Sequence, residues 1–382
     1  MNSYKSGTYC KENYDKEYEY QYFLPSLINR KVEFDVTDLM SMLEQANLLL
    51  GQLNAYSRLI PDVDYFIAMH VNSEAVSSSR IEGTRTGFDE ALMKESEIEP
   101  ERRDDWQEVQ NYIRAMNRAI EHLESLPVSE RLIKNTHKIL LSGARGANKN
   151  PGELKTLQNW IGGSGPQSAH FVPPHPKEMP VLLSDWEEFW YNKSLNLPAL
   201  IKVGMSHYQF ETIHPFADGN GRIGRLIMTL QLIERGIISK PVLYISSYFE
   251  RYRQEYYDAL DRVRAHDDIL HWLKFFLQAV IESADGSKKV FEDIVELRQQ
   301  YERRVSTLGR KVPRAQKLLL ELFTDPILDV NTVSEILDVR YDAANALVAN
   351  FVELGILEEI TGYSRNRLFR MSDYVNLFRE LP

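Results

Sequence analysis

The sequence is almost without cysteine: Cys10 is the single one in 382 residues. That excludes an intrachain disulfide and suits a reducing compartment. Long apolar runs are missing, so no stretch reads as a membrane span. The first 22 residues are rich in Tyr, Lys and Glu and lack the apolar core of a signal peptide. A cytoplasmic location is the expectation. No internal repeat or low-complexity tract is visible. Positive charge is in deficit: 45 Lys and Arg against 55 Asp and Glu leave a net charge of −10. This argues against general nucleic-acid binding by the whole chain, though not against a local basic patch. What is present is the composition of an ordinary globular protein, 43% hydrophobic and 26% charged, with length for two or three domains.

The pattern is nearly all helical. Residues 36–56 carry Leu39, Leu43, Ala46, Leu49 and Leu53 at helical spacing. A second amphipathic run starts at Asp105 with Trp106, Val109, Ile113, Met116 and Ile120. Ser129 is placed to cap a helix holding Leu132, Ile133 and Ile139. Glycines and prolines between residues 148 and 176 interrupt the pattern. Within them, residues 158–161 and 169–172 suit two short strands joined by a Gly-rich turn, a small hairpin on a helical body; a surface loop is the alternative. A further break is expected at Ala284-Asp285-Gly286-Ser287, followed by a charged helix with Val290, Ile294, Leu297 and Tyr301 and a linker over residues 309–313.

Residues 315–370 read as a winged helix. Thr332 to Glu335 form a capping box, Asp342 caps a second helix that stops at Gly355, and residues 356–360 and 367–371 make two wing strands. From Lys311 onward there are 8 basic and 11 acidic residues, and the recognition helix of such a unit, residues 342–354, holds no Lys or Arg. Arg365, Arg367 and Arg370 on the wing are a weak footprint for a phosphate backbone. Protein contact or packing is therefore expected rather than DNA binding. The expected division is 1–105, 106–285, a linker helix over 286–313, and 314–382.

The richest chemistry lies between His214 and Arg225. Gly219 and Gly221 allow backbone conformations that a β-carbon forbids, and with Asn220 between them they can aim successive N–H groups at one anion. Ile223, Leu226, Ile227, Leu230 and Ile233 follow at helical spacing, so this nest opens a helix whose dipole favours phosphate. Arg222 and Arg225 lie on adjacent turns and offer bidentate donation to phosphate oxygens. Asp218 is a hard oxygen ligand suited to Mg2+ carrying the same phosphates. His214, largely neutral at cellular pH, can take a proton from a hydroxyl.

This stretch resembles the signature of the Fic (filamentation induced by cAMP) family, H-x-F-x-[DE]-G-N-G-R-x-x-R, with no position missing. The resemblance implies a mainly α fold with a small β-hairpin flap, a helical N-terminal region, and a C-terminal winged helix beside the catalytic core. It implies a protein adenylyltransferase, a nucleotidyltransferase moving AMP from ATP to a Ser, Thr or Tyr hydroxyl. His214 is then the general base, Asp218 the Mg2+ ligand, and Gly219, Asn220, Gly221, Arg222, Gly224 and Arg225 the ATP site. Tyr256 and Tyr257 lie where family members place residues near the nucleotide. The Gln-Asn-Trp-Ile-Gly-Gly run resembles the family's flap, whose edge at Trp160, Ile161, Gly162 and Gly163 would hold the target segment as an added strand. Lys155 departs from the family's usual Arg.

A second motif, Ser78-Ser79-Arg80-Ile81-Glu82-Gly83, resembles the family's inhibitory pattern [ST]-x-x-x-E-[GN], with Ser78, Glu82 and Gly83 at the matching positions. Its surroundings, from Phe23-Leu24-Pro25 to Thr84, resemble the N-terminal domain often attached to Fic cores. On this reading Glu82 pairs with Arg225 and occupies the guanidinium needed by the γ-phosphate of ATP. An ordinary surface pair at a helix end is the alternative.

Other outcomes stay open. They include removal of AMP, with Glu82 orienting a water, and transfer of another phosphate-containing group. Relatives that phosphorylate alter the nest's central glycine, intact here as Gly221. A nucleotide-sensing transcriptional regulator is the reading from another class; intact His214 and Asp218 and the acidic recognition helix argue against it. His207 reads as a core histidine rather than half of a zinc pair. The expected partners are ATP and a hydroxyl-bearing protein, which includes the chain itself, and a homodimer is expected by likeness to relatives.

Overall fold

The computed structural model describes all residues except 1–3, 14–17, 33–34, 36, 60–62, 144–146, 364–365 and 380–382. Arg365 and the first residue of the run expected at 36–56 lie outside the described residues. The chain begins with an element that the sequence does not announce. Strands β1 (Gly7–Glu12) and β2 (Tyr20–Pro25) form an antiparallel hairpin in the register Gly7↔Pro25 to Glu12↔Tyr20. Charges and aromatics mix along both strands without clean alternation, so the hairpin depends on what it docks against. Phe23 N–H donates to the Val172 carbonyl at 2.9 Å. Ser6, through both its N–H and its hydroxyl, reaches Asp267 Oδ1 at 2.7 Å.

Helices α1 (Met40–Leu59) and α2 (Val63–Ile81) follow, after a 3-10 turn at Thr37–Leu39. The expected stripe of Leu39, Leu43, Ala46, Leu49 and Leu53 is buried. Helix α2 is buried on nearly every side, including Ser73, Glu74, Ser77, Ser78 and Ser79. Next come α3 (Phe88–Ala91), α4 (Arg103–His122) and α5 (Glu130–Leu140). Ser129 caps α5 as expected, its Oγ accepting from Leu132 N–H. Then α6 (Met179–Tyr191) packs Trp186, Phe189 and Trp190 inward beside α7 (Ala199–Ile213) and α8 (Asn220–Glu234). The centre of the molecule is α7 against α8, which are buried along almost their whole length. Helices α9 (Ser246–Arg251), α10 (Arg253–His266) and α11 (Ile269–Val305) close the helical body.

No break occurs at Ala284-Asp285-Gly286-Ser287, for α11 runs straight through. The sequence expectation weighs a mid-helix glycine at about 1 kcal/mol. Here Ala284, Gly286 and Ser287 are buried against the body, and small side chains are what that close contact needs. Packing outweighs propensity. Helix α11 ends instead at a 3-10 turn, Ser306–Lys311, where Gly309 takes φ 56° and turns the chain.

The C-terminal unit holds α12 (Val312–Thr324), β3 (Ile327–Asp329), α13 (Val330–Leu337), α14 (Tyr341–Glu353), β4 (Glu358–Glu359), β5 (Leu368–Arg370) and α15 (Ser372–Arg379). Its three strands are antiparallel in the order β3-β5-β4. Both expected caps are displaced. Asp329 caps α13 by accepting Thr332 N–H at 2.7 Å, so this helix starts before the Thr332–Glu335 box. Helix α14 starts at Tyr341 without a side-chain cap, ahead of Asp342.

This unit grips the N-terminal helices. Phe66 on α2 meets Phe323 on α12 edge-on at 5.2 Å, and Phe88 on α3 stacks on Phe378 at 5.9 Å. Asp89 on α3 accepts from Arg370 at 2.9 Å and from Arg379 Nε at 3.0 Å. Arg367 donates to Asn345 Oδ1 at 3.0 Å. Two of the three wing arginines are thus committed within the fold. Among the described residues, no helix is long and apolar enough to cross a membrane.

Candidate functional site

The last turn of α7 delivers His214. As the residue after the helix it takes the left-handed conformation, φ 50° and ψ 59°, with its N–H bonded to Phe210 O. Left-handed backbone is strained for a residue with a β-carbon. Its Nδ1 lies 3.4 Å from the Glu211 carbonyl. A proton on Nδ1 satisfies that carbonyl and leaves the lone pair on Nε2. Burial, and then the positive charge of Lys155, push the His214 pKa down to about 3. The imidazole is neutral and able to accept a proton across the neutral pH range.

Five residues on, the chain turns through Gly219, φ 75°, into α8. Ile223 N–H closes the first helical bond onto Gly219 O, so the amides of Asn220, Gly221 and Arg222 precede the ladder and are the helix's unpaired donors. That is the expected anion nest. The Asn220 side chain, however, is not part of it. Its Oδ1 accepts Phe216 N–H at 2.8 Å and its Nδ2 donates to Phe216 O at 2.9 Å, stapling the loop. Asn220 offers an incoming phosphate its main chain only.

Glu82 occupies the place beside the nest. A β-carbon on Gly221 would stand 2.2 Å from Glu82 Oε1 and 3.0 Å from an Arg225 nitrogen. Arg225 Nη2 donates to Glu82 Oε1 at 2.6 Å and to Ser78 O at 2.8 Å, while its Nε donates to Ser78 Oγ at 2.9 Å. The Arg225 side chain is 1% exposed. Burial opposes ionisation of Glu82, yet the Arg225 guanidinium outweighs it and holds the carboxyl below the usual range. Gly83, at φ 99°, turns the chain away immediately afterwards. Ser78 and Glu82 therefore meet Arg225.

Arg222 and Asp218 line the other flank. Arg222 donates to Glu108 Oε2 at 3.1 Å and lies 3.7 Å from Asp218 Oδ1, which also accepts Gly219 N–H at 2.6 Å. The Asp218 side chain stays half-exposed. Among the described residues no cluster of three potential metal ligands exists. One half-exposed carboxylate beside a phosphate nest still fits Mg2+, which takes one or two protein carboxylates and draws its other ligands from phosphate and water.

Several expected positions serve other ends. Gly224 does not face the nest: a β-carbon there would meet Glu211 Oε1 at 2.1 Å. Its carbonyl lies 3.1 Å from His207 Nδ1. Tyr256 is 1% exposed, with its hydroxyl 2.8 Å from His207 Nε2 and its ring stacked on Phe249. It supports the site from beneath and lines no open surface. His207 is the core histidine expected. Tyr257 is half-buried near Arg225 and Glu82. In the flap the two expected strands reduce to one bridge, Ile161↔Phe171. Gly162 and Gly163, at φ 71° and 68°, fold the chain back at once. On the other side, Gln158 and Asn159 spend their side chains on Pro173 O and on the His214 loop. Trp160 and Ile161 remain 42% and 40% exposed at the edge.

His137 is a functional residue that sequence reasoning missed. Gly152 N–H donates to its Nδ1 at 2.8 Å, so Nε2 carries the proton and donates to Asp218 O at 3.0 Å. Its ring stacks on Phe216 at 3.8 Å. It lies 81 residues from Asp218 along the chain and belongs to no motif. Burial pushes its pKa down to about 4, and those of His70 and His207 down to about 3. An unfolded chain binds these protons near pH 6.5, so the three rings add stability that is full above that pH and lost as pH falls toward 4. Urea midpoints measured from pH 7.5 to 5 are expected to fall, with uptake of about two or more protons on unfolding at the lower end; a flat profile contradicts neutral burial.

Comparison with known proteins places the site in a family. A family model described as Fic/DOC family N-terminal matches residues 40–121, and one described as Fic/DOC family matches residues 127–232. Curated relatives include "Protein adenylyltransferase Fic" of Aedes aegypti, 32% identical over 135 residues, covering 35% of this chain and 24% of that protein. The relative of the same name in Culex quinquefasciatus is 32% identical over 136 residues, with the same two shares. The chain thus spans about a quarter of the length of these relatives. A crystal structure of a Fic family protein from Desulfovibrio desulfuricans covers 90% of this chain and 98% of its own, with a TM-score of 0.57 at 20% identity. A Fic domain-containing signaling protein from Bacteroides thetaiotaomicron covers 65% of this chain and 97% of its own, with a TM-score of 0.55 at 18% identity. These two likenesses concern the fold.

Proposed function

The chain belongs to the Fic/DOC family, and on that premise we propose that it is an autoinhibited protein adenylyltransferase. The observation that carries this reading is the seat of Glu82: its carboxylate holds Arg225 and lies against Gly221, where an anionic phosphate would otherwise sit. The nest amides and Arg225 bind the phosphates of ATP once Glu82 withdraws. A target Ser, Thr or Tyr lies along the flap edge at Trp160 to Gly163, with its hydroxyl toward His214. The hydroxyl oxygen attacks the α-phosphorus and its proton passes to Nε2 of His214. The bond to the bridging oxygen of the β-phosphate breaks, pyrophosphate leaves, and AMP stays on the target as a phosphodiester. Asp218 would hold Mg2+, which offsets the charge of the leaving phosphates.

The C-terminal unit, read as a winged helix, has a packing role here, because Arg370 and Arg379 are turned onto Asp89. Residues 1–105 act as the inhibitory region and 106–285 as the catalytic core. The test is to supply Mg2+ with ATP labelled at either the α- or the γ-phosphate to the Glu82→Gly chain and a cell lysate. Protein-bound label from the α position alone is expected. Label from the γ position assigns a phosphorylating enzyme instead, and label from neither removes the transferase reading.

A further inference from the structure

The carbonyls of the His214 loop are taken up one after another by a single neighbouring segment. Lys155 Nζ donates to Ile213 O at 3.3 Å, and Lys155 N–H donates to Pro215 O at 2.9 Å. Asn159 Nδ2 donates to His214 O at 3.2 Å and to Phe216 O at 2.9 Å. Lys155 Nζ also donates to Asn159 Oδ1 at 2.8 Å, which fixes which way that amide faces. Lysine and asparagine together hold the strained residue at its left-handed angle. Backbone of that kind persists only where the surroundings over-determine it.

Lys155 is unusual in its burial. It is 5% exposed, and among the described residues both acceptors of its Nζ are neutral oxygens, with no carboxylate bonded to it. An ammonium buried without a counter-ion projects its charge onto whatever stands beside it. What stands beside it is His214, where Lys155 is the largest influence after burial itself. The other groups facing the imidazole are the Glu211 carbonyl from its own helix, Glu82 from beyond α2, and Arg264 from α10. Lys155 also borders a cavity of about 400 Å³ that includes Trp160 and Ala217, beside the flap edge.

We propose that Lys155 is a positioning residue for the transfer reaction: it holds the His214 loop by its carbonyls, and its unpaired ammonium keeps the imidazole in the proton-accepting form. This rests on His214 being the base. The signs agree. Burial pushes the Lys155 pKa down to about 7, so the charge is present through the acidic range in which His214 would otherwise pick up a proton. Above that pH the charge goes, but His214 no longer needs it. The neutral amine keeps two N–H groups for its two bonds, so the loop stays held.

The test reads the imidazole directly. In the chain with isotopically labelled histidine, NMR titration gives the His214 pKa for the parent, Lys155→Gln and Lys155→Arg. Lys155→Gln is expected to raise it by roughly one unit, since a like charge has been removed, and Lys155→Arg to leave it near the parent value. In the Glu82→Gly background, the acid limb of kcat/KM for transfer from α-labelled ATP moves up by the same amount in Lys155→Gln, with about twofold loss at pH 4 and little at pH 8. An unmoved His214 titration in folded Lys155→Gln overturns the proposal, as does a loss of rate equal at every pH, which marks structural support alone. Should His214 titrate as proposed while no transfer occurs in any chain, the hold of Lys155 on the imidazole stands, and the transferase reading falls together with the positioning role in it.

Discussion

Replacing His214 by Ala in the Glu82→Gly chain lowers AMP transfer about 10²- to 10⁴-fold, the usual worth of a positioned general base, and leaves ATP affinity nearly unchanged. The loss is expected on kcat because, in the proposed reaction, the imidazole meets the attacking hydroxyl rather than the nucleotide. The left-handed backbone at this position, φ 50°, bears on the choice of variant, since histidine and alanine alike carry a β-carbon there at roughly 1–2 kcal/mol. Asparagine tolerates that conformation better and cannot serve as the base. His214→Asn is therefore the cleaner variant: it should keep the thermal midpoint and lose the rate to the same extent. Substantial transfer by His214→Asn, measured as protein-bound label per minute, excludes the base assignment.

Glu82→Gly raises transfer at least about tenfold over the intact chain and makes it less stable without nucleotide. Both effects have one cause. Arg225 is buried, and its partners are Glu82 and the two oxygens of Ser78. Removing one member of a fully buried ion pair costs about 3–5 kcal/mol, because the charge left behind lacks a counter-ion; Glu82 is 34% exposed, so the cost here is smaller. A phosphate of ATP can supply that counter-charge. Hence ATP should raise the thermal midpoint more in Glu82→Gly than in the parent, as binding to the folded state alone requires. Differential scanning fluorimetry with and without ATP measures it. Equal ATP shifts in the two chains would mean that Glu82 does not compete for Arg225.

The parts of this site legible in the sequence are those whose chemistry lies close along the chain. His214, Asp218, the nest at Gly219 to Gly221, Arg222 and Arg225 fall within a dozen residues, and Ser78, Glu82 and Gly83 within six. The same reading assigns Gly224 and Tyr256 to the nucleotide, and the fold turns both inward: Gly224 faces Glu211 where α7 packs on α8, and Tyr256 on α10 is buried against His207 and Phe249. The roles of the supports are not legible. His137 lies on a helix whose periodicity is plain, and Lys155 and Asn159 in a segment marked only as a flap, but what each of them holds is revealed by tertiary proximity alone. The hairpin β1–β2 was missed for a similar reason: it is held by Val172 and Asp267, far along the chain. In α11 the local signal predicts a break, and the structure has none, because burial of Gly286 and Ser287 makes the small residues an asset.

The way α2 is anchored separates two timescales. Moving that helix as a body would unseat Phe66 from Phe323, His70 from among Tyr244, Phe291 and Phe378, and through α3 the Asp89 contacts with Arg370 and Arg379. A rearrangement of that breadth belongs to microseconds or longer. Glu82 sits one residue past the end of α2, and its side chain is 34% exposed. It can swing away from Arg225 by side-chain rotation alone, and once the ion pair parts such a hop takes picoseconds to nanoseconds. On the proposed reading Glu82 is the faster gate of the two, and basal leakage past an otherwise motionless helix is the expected consequence.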